Sequence, residues 1–167
     1  DMDQIRRALG QKQINYYGYS YGTYLGQVYG TLFPRNVRRM VLDGVVDSRD
    51  WWYRANLNQN VAFERNIAHF FDWVAEHDGV YHLGRSGDAV RKLFDDTAEK
   101  LRTAPAGGLI GSAEWTDIFL RAGYNVAEYP QTAQAFVAGT VQPDPAALKA
   151  AYESCLLYTS DAADERC

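Results

Sequence analysis

The chain has 167 residues, 47% of them hydrophobic and 14% aromatic, with 17 Lys and Arg against 21 Asp and Glu for a net charge of −4. This is the composition of a globular, mildly acidic chain, and with no basic block and no basic–aromatic interleaving it argues against nucleic acid as a partner. No run approaches the ~18 apolar residues that a membrane span needs, so none is expected.

Asp3–Leu9 reads as a short amphipathic helix with Ile5 and Leu9 on one face and Gly10 as its stop. Ile14-Asn15-Tyr16-Tyr17 then reads as a short buried strand bounded by Gly18. Tyr21–Phe33 follows as a helix that Pro34 ends. Val37–Asp43 is the next strand, with Met40, Val41 and Leu42 suited to a buried parallel position. Helix, strand, helix, strand over residues 1–47 is the alternation of a parallel α/β sheet. The chain also reads as starting inside a longer protein: Asp1 is no initiator, and the first ten residues already lead into a strand.

Gly18-Tyr19-Ser20-Tyr21-Gly22 joins the first strand to the helix as a G-x-S-x-G nucleophile elbow. A serine hydroxyl is a weak nucleophile unless it is held in the open beside a base. A sharp strand-to-helix turn holds it there in a strained backbone conformation. Glycines two residues to either side remove Cβ atoms that would strike the crossing strand and helix, and the helix start turns its N–H groups toward a developing oxyanion. The bland alternative for Ser20 is an ordinary turn serine. Gly22, Gly26 and Gly30 form a bare stripe along the helix, letting it lie close on a sheet. A membrane-helix dimer would use a similar spacing, but the segment is short and carries Gln27 and three tyrosines.

The character changes at Asp47-Ser48-Arg49-Asp50. From Trp51 to Ser154 no strand pattern is found. Helices are expected over Ala55–Glu76, Asp88–Leu101, Ser112 (as cap) to about Tyr124, and Pro130–Ala138. A last one opens at Asp144-Pro145, with Asp at the N-cap and Pro in the first turn. Thr103–Gly108 is a turn-rich break. An all-helical block after a sheet strand reads as a lid of the kind that gates a hydrolase pocket. The expected organisation is therefore 1–47 as part of an α/β core and 48–154 as helical lid.

Residues 155–165, Cys-Leu-Leu-Tyr-Thr-Ser-Asp-Ala-Ala-Asp-Glu, resemble one translated frame of a transposase adapter used in sequencing libraries. On that reading 155–167 is read-through rather than native chain. Both cysteines, Cys155 and Cys167, fall there, so arguments from cysteine count lapse. Without Asp161, Asp164, Glu165 and Arg166, residues 1–154 carry −2 of the net −4.

Gly18-Tyr-Ser-Tyr-Gly-Thr-Tyr-Leu-Gly26, Leu32-Phe33-Pro34 and Arg39-Met-Val-Leu-Asp-Gly-Val45 resemble the tripeptidyl aminopeptidase branch of the α/β-hydrolases, relatives of the prolyl aminopeptidases. Asp3-x-Ile5-Arg6-x-Ala8-Leu9-Gly10 matches the helix before the elbow in that group, and Tyr81–Gly84 with Glu114-Trp115 looks like the lid of some members. The resemblance spans nearly all of 1–154 and is most specific over 15–46. It implies Ser20 as acyl-forming nucleophile and the Tyr21 N–H as one oxyanion donor, worth about 3 kcal/mol of barrier. It implies a peptide substrate, no cofactor and no metal. It places the triad acid and histidine beyond the lid, in the order Ser, acid, His. The chain by itself is therefore expected to show no turnover. Non-peptidase hydrolysis, esterase-like, is the alternative on the same elbow. Members are often exported, which points to an extracellular setting.

His69, His77 and His82 all lie in the helical block. His69 is expected to pack beside Phe70 and Phe71, His77 to sit at a helix end next to Asp78, and His82 to lie in a loop; their spacing is not that of a zinc site. Asp43 ends the strand after the elbow, where some lipase-like hydrolases carry their triad acid; alternatively it caps the Asp-Gly turn. Glu114 and Asp117 are the carboxylates that would receive a substrate's α-amino group, with solvated helix acids as the alternative. Trp51, Trp52 and Tyr53 are expected either at the pocket mouth or as a packed hinge.

Overall fold

A computed structural model describes residues 1–50 and 53–160, the side chains of 156–160 excepted. Tertiary contacts divide it into two compact units, Asp1–Asn60 and the residues from Val61 onward.

The first unit begins with α1 (Met2–Ala8), β1 (Ile14–Tyr19), α2 (Tyr21–Leu32), a 3-10 turn at Pro34–Asn36 and β2 (Val37–Asp43). The strands pair in parallel, in a two-stranded sheet, with Tyr17 opposite Val41, Gly18 opposite Leu42 and Tyr19 opposite Asp43. β1 runs two residues further than its apolar run predicts and delivers the chain directly to Ser20. Pro34 ends α2 by opening the 3-10 turn: Pro has no N–H to continue the ladder but fits a first helical position.

Burial alternates along β1 and, from Arg39 onward, along β2. Tyr16, Gly18, Met40 and Leu42 turn inward toward α2, whereas Tyr17, Tyr19 and Val41 are exposed at 62%, 70% and 56%. The expectation of buried strands thus fails on one face and is met in part on the other, where Gly18 is buried and Tyr16, Met40 and Leu42 are half-buried, because a single helix layer covers a single face. α1 also differs from its apolar pattern. Ile5 and Leu9 are exposed, and the buried residue is Asp3. Its carboxylate takes Arg6 Nε at 2.7 Å, Arg7 Nε at 2.9 Å, Asn36 Nδ2 at 2.7 Å and the Tyr29 hydroxyl at 3.2 Å. Hydrogen bonding, not apolar burial, docks α1 onto α2 and the 3-10 turn.

α3 (Tyr53–Glu76) carries the chain across the division between the units. The second unit continues with α4 (Asp78–Tyr81), α5 (Gly87–Thr103), α6 (Ser112–Tyr124), a 3-10 turn at Val126–Glu128, α7 (Tyr129–Gly139) and α8 (Pro145–Ser160). It contains no strand among its described residues, only an isolated bridge between Ala106 and Ile110 around Gly107 and Gly108. Its core is aromatic: Phe70, Phe71, Trp115, Phe119 and Phe136 are buried together, and Trp115, Phe119 and Phe136 meet edge to face at 4.7–5.5 Å.

The helix starts follow local chemistry. Ser86 Oγ accepts from Ala89 N at the head of α5, and Asp144 Oδ1 accepts from Ala146 N and Ala147 N at the head of α8. At α6 the cap is Gly111 rather than the expected Ser112. Glu114 Oε2 reaches back to Gly111 N at 2.9 Å, so the acidic side chain in the first turn supplies the cap that the serine was expected to give. α8 continues across Ser154, with Cys155 buried and its thiol donating to Asp117 O at 3.2 Å; burial raises that thiol's pKa.

Candidate active site

Ser20 sits at the junction of β1 and α2 with φ 52° and ψ −124°. That region is uncommon for a residue with a Cβ, and strain of this kind persists only where the surroundings over-determine it. The surroundings here are explicit. Ser20 N donates to Asp43 O at 3.0 Å, tying the elbow to the end of β2. The Ser20 carbonyl accepts from Thr23 N at 3.0 Å and from Thr23 Oγ1 at 2.7 Å. Tyr16, inside β1, donates its hydroxyl to Gly22 O at 2.6 Å and so holds the first turn of α2. The Ser20 side chain itself makes no capping bond, and the residue is exposed. A serine at a helix N-cap normally accepts from the N2 or N3 amide. Here the N3 amide goes to the Ser20 carbonyl instead, which leaves the hydroxyl outward.

The glycines around the elbow are not equivalent. A Cβ at Gly18 would lie 2.7 Å from both Gly22 O and Tyr16 Cε1, so nothing larger than glycine fits between strand and helix. A Cβ at Gly22 would meet only Tyr16 Oη at 3.6 Å, an ordinary contact. The elbow's steric demand therefore falls on the strand-side glycine. In the stripe along α2, close approach is set at Gly26, where a Cβ would come within 2.6 Å of Tyr16 Cε1 and 2.8 Å of Leu42 Cδ2; Gly30 faces Met40 at an ordinary 3.5 Å.

Asp43 ends β2 with its carbonyl on Ser20 N and its exposed carboxylate accepting the Tyr17 hydroxyl at 3.2 Å. That carboxylate raises the Tyr17 phenol pKa above its ordinary value, chiefly through the hydrogen bond. Gly44 follows with φ 62°, turning the chain away past Ser20 N. Tyr21 is the first residue of α2 and is exposed.

The remaining sequence candidates all follow residue 50. Glu114 is half-buried and engaged in the α6 cap, while Asp117 is exposed on the same helix. His69 is exposed rather than packed, because its neighbours Phe70 and Phe71 occupy the inward face of α3. His77 follows the end of α3, stacked on Trp73 at 4.2 Å with Nδ1 2.7 Å from Trp73 O. His82 caps α4 in the left-handed region at φ 56°. Tyr53 is exposed at the start of α3, and Trp51 and Trp52 lie outside the described residues. Among the described residues no group of His, Cys, Asp and Glu is arranged to hold a metal, and no helix is long and apolar enough to cross a membrane. Sequence reasoning missed Tyr16, Thr23 and Gln27 as parts of the elbow; only Thr23, three residues past Ser20 at the N3 position, carried a local signal.

The chain is similar to known proteins over most of its length. It is 51% identical over 151 residues to the tripeptidyl aminopeptidases of Streptomyces lividans and Streptomyces coelicolor, an alignment covering 85% of this chain and 27% of each relative. It is 47% identical over 64 residues to the serine protease Hip1 of Mycobacterium tuberculosis, covering 38% of this chain and 12% of that protein. The chain thus spans about a quarter of the length of the Streptomyces relatives it matches. The sequence profile of the alpha/beta hydrolase fold matches residues 1–148, which contain the parallel strand pair and the elbow between them. On that match and that geometry, the chain belongs to the α/β-hydrolase family.

Proposed function

We propose that Ser20 is the nucleophile of a serine hydrolase whose reaction is the release of short peptides, tripeptides foremost, from a free N-terminus. The observation that carries the reading is the strained, exposed Ser20 at φ 52°, held between β1 and α2 with its hydroxyl uncommitted to the helix cap. The names of the Streptomyces relatives support the peptidase class. In the reaction Ser20 Oγ bonds to the scissile carbonyl carbon while its proton passes to a base. Collapse of the tetrahedral species breaks the C–N bond, and the amine leaves with that proton. The Tyr21 N–H at the first position of α2 serves the oxyanion, favoured there by the helix N-terminus. Water then releases the acyl group.

Asp43 at the end of β2 is the acid candidate within the first unit, and Glu114 and Asp117 are the carboxylates assigned to the substrate's α-amino group. The lid role of the helical block, its boundary at residue 47, and the read-through origin of 155–167 belong to the same proposal.

The test uses the complete reading frame that carries this chain, assayed on tripeptidyl arylamides and on short acyl esters. Arylamide cleavage abolished by Ser20→Ala is the expected result. Cleavage of esters alone would move the assignment to an esterase, and turnover surviving Ser20→Ala would remove the nucleophile. Asp43→Asn and Asp117→Asn separate the acid from the amine contact. The first should lower kcat if Asp43 belongs to the triad; the second should raise KM for free N-termini only.

A further inference from the structure

The geometry points to Thr23 as a positioning residue that sets the nucleophile through the elbow's backbone, an inference that rests on the reading of Ser20 as nucleophile. Thr23 is fully buried in the first turn of α2, with no accessible surface. Its hydroxyl is used in both directions: Oγ1 donates to Ser20 O at 2.7 Å and accepts from Val46 N at 2.9 Å. Val46 O in turn accepts from Gln27 Nε2 at 2.8 Å, one turn further along α2. Ser20 N donates to Asp43 O at 3.0 Å. The end of β2 and the loop after it are therefore fastened to the elbow and α2 at Asp43 O, Val46 N and Val46 O, and Thr23 is the side chain that joins Val46 to the nucleophile's own carbonyl.

A strained φ at Ser20 requires such fastening, since each peptide plane beside it must be fixed for the conformation to persist. The plane before Ser20 is fixed through its N–H on Asp43 O. The plane after it is fixed through its carbonyl on Thr23, by amide and hydroxyl together. The hydroxyl is the only one of these groups that also reaches the loop after β2. Removing it leaves Ser20 O with the Thr23 amide alone and leaves Val46 N without its partner. The Ser20 plane then gains freedom to relax toward ordinary helical dihedrals, which would swing Oγ from the position that the turn imposes.

The experiment compares Thr23→Val, which keeps the shape and deletes the hydroxyl, with Thr23→Ser, which keeps the hydroxyl, in the complete protein. The readouts are the rate constant for labelling of Ser20 by an alkyl fluorophosphonate, kcat and KM on a tripeptidyl arylamide, and the melting temperature. Thr23→Val should slow labelling and kcat by roughly tenfold to a hundredfold, the scale of a misplaced reacting group, with KM unchanged and Thr23→Ser close to wild type. Labelling of folded Thr23→Val at the wild-type rate would overturn the inference, as would equal losses in Val and Ser. If Thr23→Val does not fold, Thr23→Ala carries the test against Thr23→Ser, since it also removes both hydroxyl bonds. Labelling slower in Ala than in Ser at unchanged KM supports the clamp, and equal labelling overturns it. A wild-type protein that the fluorophosphonate does not label would instead refute the nucleophile reading, and the role of Thr23 with it.

Discussion

At Gly26 a single missing Cβ decides how near α2 lies to the sheet. A Cβ there would meet Tyr16 Cε1 and Leu42 Cδ2 at once, one from each strand, so both neighbours would have to shift. Gly26→Ala is expected to destabilise the first unit by about 1–3 kcal/mol, the usual cost of overpacking. Gly30→Ala, facing only the flexible end of Met40, should be neutral or slightly stabilising as a helix substitution. Urea denaturation of the two variants checks the contrast, and equal effects would mean that the stripe acts as a whole. Both glycines were legible in the sequence as a stripe, but which of them carried the contact was not, because that depends on where a tyrosine of the preceding strand places its ring.

At the scale of the element, α1 is the instructive case. Its sequence pattern put Ile5 and Leu9 inward, yet both are exposed and Asp3 is buried among Arg6, Arg7, Asn36 and Tyr29. A seven-residue helix is too short to hold itself together in water, so its docking determines its face. The Arg6 hydrogen bond foremost, then Asn36 and Tyr29, holds the Asp3 carboxyl well below the usual carboxylate range. Because that pKa is depressed on folding, the stabilisation is complete above the unfolded value near about 4 and is lost as pH falls toward the native one. The difference in urea midpoint between wild type and Asp3→Asn should therefore be constant at neutral pH and shrink below pH ~4. A difference that stays constant down to the lowest pH accessible would show that Asp3 docks α1 without its charge. The opposite expectation, a capped α6, was right in kind and wrong in residue: the capping box needs an acid at the third helical position, which Glu114 supplies, and tolerates glycine at the cap.

Across the whole molecule the two units are built on different cores. Among the described residues of the first unit Tyr29 is the buried hydrophobic side chain, and one face of its strand pair is exposed. The second unit buries Phe70, Phe71, Trp115, Phe119 and Phe136 in one cluster. Local opening free energy follows buried apolar contact. Amides of β1 and β2 are therefore expected to exchange hydrogen faster than those of α6 and α7 by orders of magnitude, read by exchange mass spectrometry. Equal protection would mean that the strand pair unfolds only with the helical core. A parallel pair in its family is usually covered on both faces, which is why its sequence reads as fully buried while the structure covers only one side.

The order helix, strand, elbow, helix, strand, and the helical block after residue 50, were determined by the sequence itself. Periodicity, Gly and Pro punctuation and a five-residue motif act over distances shorter than one element. Ser20 was legible for the same reason, since the turn that strains it is local. The tertiary structure decided everything that needs a partner from elsewhere in the chain: that Thr23 ties Ser20 to Val46, that Tyr16 holds Gly22, that Asp3 rather than Ile5 turns inward, and that His69 faces solvent. Each of these depends on a hydrogen bond or a ring placed by a second element. No spacing rule within one helix or strand encodes where that element arrives.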